Sequence, residues 1–263
     1  MRIGIFGRGV VGDAVYMGLT HIGHDLCHYD IKNPDTSVDS IIDTDVIFVC
    51  VPTDSLSDGS CDISLVQQAV DLLMSKQYQG VVAIKSTVIP QTTQNLIDKY
   101  SNSKICCVPE FLRQKSAYSD FFDFHDVLVI GSQDTSVSNI ITRVHGQIPK
   151  SVSVISPTEA EIAKYFNNVH NAMQIVFANG MYEMCKHLNA DYQTMLDAVS
   201  KRSNINKKYL HCSESYRGYG GHCLPKDTQA WAKLAEQLNL DVRIFNDIVE
   251  DNRRYLDENR SHR

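Results

Sequence analysis

The chain is built on one repeated step: a short run of consecutive apolar, β-prone residues, then a turn, then a helical or polar stretch. The strand-like runs fall at residues 2–6, 25–30, 45–51, 81–85, 104–108, 127–130 and 152–155. The segments between them that read as helical or polar include 11–23, 62–76, 92–100 and 135–146. A strand that is apolar at every position, rather than at every second one, must be covered on both faces. Strand-helix alternation of that kind predicts a doubly wound parallel sheet with helices on each side. No repeat of solenoid period and no low-complexity linker interrupts the pattern.

The pattern changes after Ile155. Ser156-Pro157-Thr158-Glu159 is a capping box with proline at the first helical position. Apolar residues then recur at Ile162, Phe166, Val169, Met173, Val176, Gly180 and Met184, with spacings of three and four. That is the period of one long amphipathic helix, expected to end at about Leu188. A second apolar flank at Ala172, Phe177 and Met181 suits either a partner chain or a neighbouring sheet domain. Further helices are expected at 192–200, 228–240 and 242–256. The expected organisation is an α/β domain over residues 1–155 and an all-α domain over 156–263, the latter ending in the polar run Asp257-Glu258-Asn259-Arg260-Ser261-His262-Arg263.

Composition narrows the classes. The 263 residues are 43% hydrophobic and 21% charged, which suits a folded globular chain and excludes disordered, collagen-like and coiled-coil architectures. The net charge of -6 makes a general nucleic-acid or anionic-membrane binder a poor fit. No apolar stretch approaches the roughly 18 residues that a membrane span needs. The eight cysteines form no C-x-x-C pair, and several sit in apolar runs such as Val49-Cys50-Val51, where a reduced thiol packs as a small hydrophobe. With no signal-like N-terminus, the expectation is a reduced cytoplasmic protein that calls for no metal.

Two constellations carry chemistry. The first is Gly7-Arg8-Gly9-Val10-Val11-Gly12, a G-x-G-x-x-G that follows a strand and opens a helix. Glycines there allow a tight turn and close approach of backbone to a pyrophosphate, and the helix start at Val10 and Val11 supplies positive potential. Asp30 ends the second strand about 20 residues on, where a carboxylate accepts from ribose hydroxyls and disfavours a 2′-phosphate. The cofactor implied is NAD, with Lys32 nearby as a residue that bears on the choice. The alternative is a glycine-rich turn of an unrelated α/β fold. The second constellation is Gly218-Tyr219-Gly220-Gly221-His222-Cys223-Leu224-Pro225-Lys226-Asp227. It brings Cys223 to a helix that Pro225 can start, beside Lys226, where a thiol ionises readily and is a competent nucleophile. Asp227, four residues on, can face the same place. Lys164 and Asn168 form a third pair, at i and i+4 of the long helix and away from its apolar stripe. Taken alone, that pair reads as a solvated polar face.

In order along the chain, the G-x-G-x-x-G at Gly7, Cys50-Val51-Pro52-Thr53, Lys85-Ser86-Thr87-Val88-Ile89-Pro90, Pro109-Glu110-Phe111-Leu112-Arg113, Glu161 through Asn168, and Cys223-Leu224-Pro225-Lys226-Asp227 resemble the UDP-glucose/GDP-mannose dehydrogenase family. The resemblance implies a Rossmann-like NAD domain, a helical central domain that dimerises through its long helix, and oxidation of a UDP-sugar to a uronate in two hydride transfers. It implies that Cys223 forms a thiohemiacetal and then a thioester. It assigns oxyanion stabilisation to Lys164 with Asn168, a proton-managing water to Asp227 and Thr87, and thioester hydrolysis to Glu110. Thr53 and Thr87 would contact the cofactor. Phe111, Leu112 and Arg113, with Gly220 and Gly221, would line the sugar site.

The chain departs from the family pattern at three places. Gln114 stands where many relatives have Glu. No residue can be assigned to the arginine that reaches a partner subunit, since Asn204-Ile205 falls near its place with Arg202 and Arg217 on either side. Relatives also continue into a third, nucleotide-binding domain that is expected to be absent here, or supplied by a separate polypeptide. The other readings are a non-catalytic NAD-binding dimerisation module and a β-hydroxyacid dehydrogenase, which has no need of Cys223.

Overall fold

A computed structural model describes residues 1–261, so His262 and Arg263 of the polar run lie outside the described residues. The chain divides into two compact units. One comprises Met1–Asp54 with Cys61–Lys164, and the other Ser55–Ser60 with the chain from Tyr165 onward.

In the first unit the apolar runs form β1 (Arg2–Phe6), β2 (Asp25–Tyr29), β3 (Val46–Val49), β4 (Val81–Ile84), β5 (Lys104–Cys107), β6 (Leu128–Gly131) and β7 (Val152–Ile155). The helices between them are α1 (Val10–His21), α2 (Ser64–Ser75), α3 (Thr92–Lys99), α4 (Ala117–Phe122) and α5 (Thr135–His145). The sheet order is β2-β1-β3-β4-β5-β6-β7. It is doubly wound, and the order reverses between β1 and β3, where open α/β sheets bind ligands beyond the strand C-termini.

Strands apolar on both faces are buried on both faces. Val46 and Phe48 of β3 enter a core that includes Val15 and Leu19 of α1, Phe121 of α4 and Ile141 of α5. Ile47 and Val49, one residue out of phase, enter a second core with Val66 and Val70 of α2 and Leu96 of α3. The alternation of side chains along a strand thus feeds two separate cores.

The expectation of a parallel sheet needs one amendment: β5 and β6 pair antiparallel, through Cys107 and Gly131. Apart from a single 3-10 turn, their connection contains one helix, α4, of six residues or about 9 Å, too little to return the chain to the start of a parallel strand. Gly131 permits the contact, because a Cβ there would stand 3.1 Å from Cys107 Cβ on the paired strand, and 2.6 Å from Ala160 Cβ. The α4 helix has no counterpart in the sequence pattern, being too short to display a helical period. Its Phe121 lies against Gly18 of α1, where an added Cβ would come 2.3 Å from the ring. Burying that phenylalanine is worth roughly 2 kcal/mol.

The long helix α6 (Pro157–His187) starts at the capping box. Ser156 N donates to Glu159 Oε2 at 2.8 Å, and Glu159 N donates to Ser156 Oγ at 3.3 Å. The second unit continues with α7 (Tyr192–Val199), α8 (Cys223–Gln237) and α9 (Ile244–Ser261). Its interior includes Tyr165 stacked on Trp231, and Tyr219 packed with Ala172 and Ile248. The α8 helix begins five residues before the expected 228, so Cys223 is itself helical and Pro225 sits in the first turn, where its missing N–H is not needed.

Much of the apolar stripe of α6, with Phe177 of the second flank, faces outward, while Val169 of the stripe is buried. Phe166 is 70% exposed, Phe177 62% and Met184 56%, with Ile162 and Met173 also exposed. The opposite side, with Glu161, Lys164, Tyr165, Asn168 and Ala172, is buried. Lys164 and Asn168 are therefore interior polar groups, and the solvated-face reading of this pair does not hold.

Candidate active site

In the first unit the glycine turn between β1 and α1 shows why each glycine is there. Gly7 adopts φ +97°, and a Cβ on it would meet the Cys50 carbonyl oxygen at 2.8 Å. A Cβ on Gly12 would stand 2.0 Å from Gly7 O. At Gly9 the same atom would meet nothing within 4 Å, so the turn opens onto free space there. Gly9 is also the N-cap of α1, and no side chain caps the helix, which leaves the amides at Val10 and Val11 to an incoming ligand. Asp30 closes the other side. Its Oδ2 accepts from Arg8 N at 2.6 Å and its Oδ1 from Lys32 N at 2.8 Å. Burial pushes the Asp30 carboxyl up, but these two amides outweigh it and hold the group below the usual carboxylate range. An open anion-binding helix start beside an ionised carboxylate fits a dinucleotide.

Thr53 and Thr87 lie just beyond the ends of β3 and β4, the first buried and the second half-buried. Ser86 Oγ donates to Val51 O at 2.7 Å and anchors the loop that holds Thr87. Past β5, the two carboxylate oxygens of Glu110 are both engaged: Oε1 with Lys164 Nζ at 2.8 Å, and Oε2 with Leu112 N at 2.5 Å. The pair is dry, with side-chain exposures of 5% and 9%, and the Lys164 ammonium also lies 5.9 Å from the Phe111 ring centre.

Two further residues of this unit, neither given a role by the sequence motifs, shape the site. Asp120 grips Arg113 by three hydrogen bonds, from the backbone N at 2.7 Å, Nε at 3.0 Å and a terminal nitrogen at 2.6 Å. This fixes the Phe111-Leu112-Arg113 segment, and it leaves Gln114 exposed at the start of a short 3-10 turn. Lys85 is fully enclosed, with Nζ 3.3 Å from Val108 O, and burial lowers its pKa. Nothing in the local sequence separates a buried Asp or Lys from the many exposed ones.

In the second unit Asn168 Nδ2 donates to Asp227 Oδ2 at 2.6 Å, and Asn167 Nδ2 donates to Asn168 Oδ1 at 2.9 Å. Lys226 Nζ lies 2.6 Å from Asp227 Oδ1, so its charge is directed at the aspartate one residue on. Cys223 opens α8 one turn before Asp227 and is exposed, while the other seven cysteines are buried or half-buried. Gly220 and Gly221 precede it, both exposed, with Gly221 at φ +79°.

Arg217 is settled by its surroundings. It is buried, donates through Nε to Asn179 Oδ1 at 2.7 Å, pairs with Glu183, and lies 5.0 Å from the ring centres of Tyr182 and Tyr255. Its side chain braces the loop ahead of Cys223. Arg202 and Asn204 are exposed.

Comparison with known proteins agrees with this geometry. The sequence model for the NAD binding domain of the UDP-glucose/GDP-mannose dehydrogenase family matches residues 33–149, and the model for its central domain matches residues 158–254. A UDP-glucose 6-dehydrogenase of Haloferax volcanii is 28% identical over 96% of this chain and 69% of its own length. A GDP-mannose 6-dehydrogenase of Pseudomonas aeruginosa is 25% identical over 96% of this chain and 68% of its own. The solved structure of a UDP-glucose dehydrogenase from Pyrobaculum islandicum superposes with a TM-score of 0.87 at 28% identity, covering 96% of this chain and 68% of that one. The cofactor is NAD, in accord with the glycine turn and Asp30. Two family domains matched in order, following a glycine turn open to a nucleotide, leave one conclusion: the chain belongs to the UDP-glucose/GDP-mannose dehydrogenase family.

Proposed function

We propose that the chain oxidises the C6 alcohol of a UDP-hexose, UDP-glucose foremost, to the uronate through a covalent intermediate on Cys223. The observation that carries this reading is Cys223 itself, the one exposed cysteine among eight, placed at a helix N-terminus one turn before a buried aspartate. A dehydrogenase that stops at a carbonyl has no use for such a thiol. NAD, when bound, supplies the hydride acceptor at each of the two oxidations. Gly7, Gly9, Val10, Val11 and Gly12 hold its pyrophosphate, Asp30 its ribose, and Thr53 and Thr87 flank it, with Lys32 at the rim.

The residues divide the remaining work. Asp227 and Thr87 hold the water that takes the C6 hydroxyl proton. The Cys223 thiolate then adds to the aldehyde carbon, and the C–S bond keeps the aldehyde from escaping. Lys164 and Asn168 stabilise the oxyanion of that adduct. Once oxidised, the adduct is a thioester. Glu110 removes a proton from the attacking water, the tetrahedral intermediate collapses, and the thiolate leaves as the carboxylate forms. Phe111, Leu112 and Arg113, with Gly220 and Gly221, line the sugar site.

In domain terms the NAD-binding part is residues 1–155 and the central part 156–263. The outward apolar face of α6 supports a homodimer through this helix, because an uncovered patch of that kind is unfavourable in water. Eight cysteines that form no disulfide support a reducing compartment, the cytoplasm. No helix among the described residues is long and apolar enough to cross a membrane. The chain spans about two thirds of the length of these relatives.

The test is stoichiometric. Incubation with NAD and a panel of UDP- and GDP-sugars should yield two NADH per sugar, with loss of the second in Cys223→Ser. NAD binding without turnover of any sugar would reduce the chain to a binding module. One NADH per substrate, indifferent to Cys223→Ser, would place it among β-hydroxyacid dehydrogenases.

A further inference from the structure

Glu161 belongs to none of the roles above, yet it is one of the most completely used side chains in the first unit. It is 2% exposed, and both of its carboxylate oxygens accept from backbone amides: Oε2 from Gln91 N at 2.7 Å and Oε1 from Thr93 N at 2.7 Å. These amides open α3, whose own N-cap residue, Gln91, supplies no side-chain cap. Gln91 is also held at φ +79°, a left-handed conformation that a residue with a side chain seldom adopts. A carboxylate from 70 residues away thus serves a helix end that a serine or aspartate at the cap position would serve locally. Among the described residues no cation pairs with Glu161. Burial pushes its carboxyl up, and the bonds from Thr93 and Gln91 offset this only in part, leaving it above the usual range.

What this arrangement fixes is the distance between two parts of the proposed site. The loop between β4 and α3 bears Thr87. It is pinned at one end by Ser86 Oγ to Val51 O and at the other by Glu161 to Gln91 N. On α6, Lys164 follows Glu161 by three residues and so shares its face, and it reaches Glu110 at 2.8 Å. One carboxylate therefore ties the Thr87 loop to the helical turn that presents Lys164. We propose that Glu161 is a positioning residue for the oxidation, holding Lys164 in register with Thr87 and Glu110 rather than merely capping the start of α3. The proposal rests on the functional reading above for its consequence in turnover, and on geometry alone for its effect on Lys164.

The experiment uses the full chain with 15N-labelled lysine. A Lys164 ammonium held dry against Glu110 exchanges its protons slowly and gives a resolved N–H cross-peak, assigned by its loss in Lys164→Met. Glu161→Gln keeps the volume but turns an amide NH2 toward one of the two backbone donors. The expected result is loss of the Lys164 cross-peak in a folded chain with NAD affinity within about twofold of the parent. Where the parent turns over UDP-glucose, kcat should fall by about tenfold or more with KM little changed. Glu161→Asp keeps the charge with a shorter reach, and should retain the fold and give a weakened cross-peak. An unchanged Lys164 cross-peak in Glu161→Gln, with only the thermal midpoint lowered, would overturn the proposal and leave Glu161 as a helix cap. If the parent oxidises no nucleotide sugar, the functional reading fails, while the cross-peak still decides the role of Glu161.

Discussion

Asp227 is held from two directions at once, by the Asn168 amide at 2.6 Å on one oxygen and by the Lys226 ammonium at 2.6 Å on the other. It is 1% exposed, so neither contact is diluted by water. Neutralising the aspartate would leave a lysine with about 10% side-chain exposure facing an amide. Removing one partner of a buried pair costs about 3 kcal/mol or more. Asp227→Asn should therefore lower the unfolding free energy by about that amount in urea titrations at pH 7 and abolish turnover of nucleotide sugar. A variant as stable as the parent would show that the pair contributes little to the fold.

The cofactor turn makes a sharper prediction, because two of its glycines fail for different reasons. Gly12→Ala places a methyl group 2.0 Å from Gly7 O, so the backbone of the turn must shift. Gly9→Ala meets no protein atom, and its methyl group would project into the space a pyrophosphate needs. Both should weaken NAD by about tenfold or more, or about 1.4 kcal/mol. Only Gly12→Ala should also lower the thermal midpoint. Calorimetric titration with NAD alongside thermal unfolding separates the two effects, and full NAD affinity in Gly9→Ala would refute the assignment of the open space.

Much of this was legible in the residues, and the limits have physical causes. Val46 to Val49 read as a strand buried on both faces because four consecutive apolar residues leave no polar side for water. The capping box at Ser156 and Glu159 read correctly because its two hydrogen bonds are local. Properties set by distant partners were not legible. The burial of Lys164 depends on Glu110, 54 residues away, and without that partner an i, i+4 polar pair looks solvated. Arg217 needed Asn179 and Tyr255 to be placed. The α4 helix and the antiparallel β6 depend on how six residues fit over Gly18, which no periodicity records.

One buried and one half-buried histidine predict how stability responds to acid. His145 is fully buried, donates from Nδ1 to Ile141 O at 2.9 Å, and has no partner for Nε2. Desolvation, aided by the nearby Lys85 charge, holds it well below its ordinary value. His125 is pushed down to about 4, again by burial first. Both favour the neutral form in the fold. The unfolded chain therefore binds more protons between about pH 6.5 and pH 4, and stability should fall as pH drops through that window. The loss from His125 alone should be of order 2–3 kcal/mol. His125→Gln should flatten the pH dependence of the urea midpoint between pH 6.5 and 4, while leaving the further loss below pH 4, where depressed carboxylates such as Asp30 and Asp120 become protonated. An unchanged slope in that variant would remove His125 as a cause.

The outward face of α6 predicts the state of assembly. Phe166, Met173, Phe177 and Met184 are exposed, and their spacings of seven, four and seven residues keep them on one side of the helix. A patch of this kind is stable in water only if it is small or covered, and a two-fold contact between helices covers both copies with one surface. Phe177→Glu puts two carboxylates into such a contact. Sedimentation should report a dimer for the parent at micromolar concentration and a monomer for Phe177→Glu. The Glu110–Lys164 and Asn168–Asp227 pairs lie within one chain, so the monomer should remain folded and retain NAD affinity within about twofold. A parent that sediments as a monomer would remove the dimer, and the exposed phenylalanines would then need another partner.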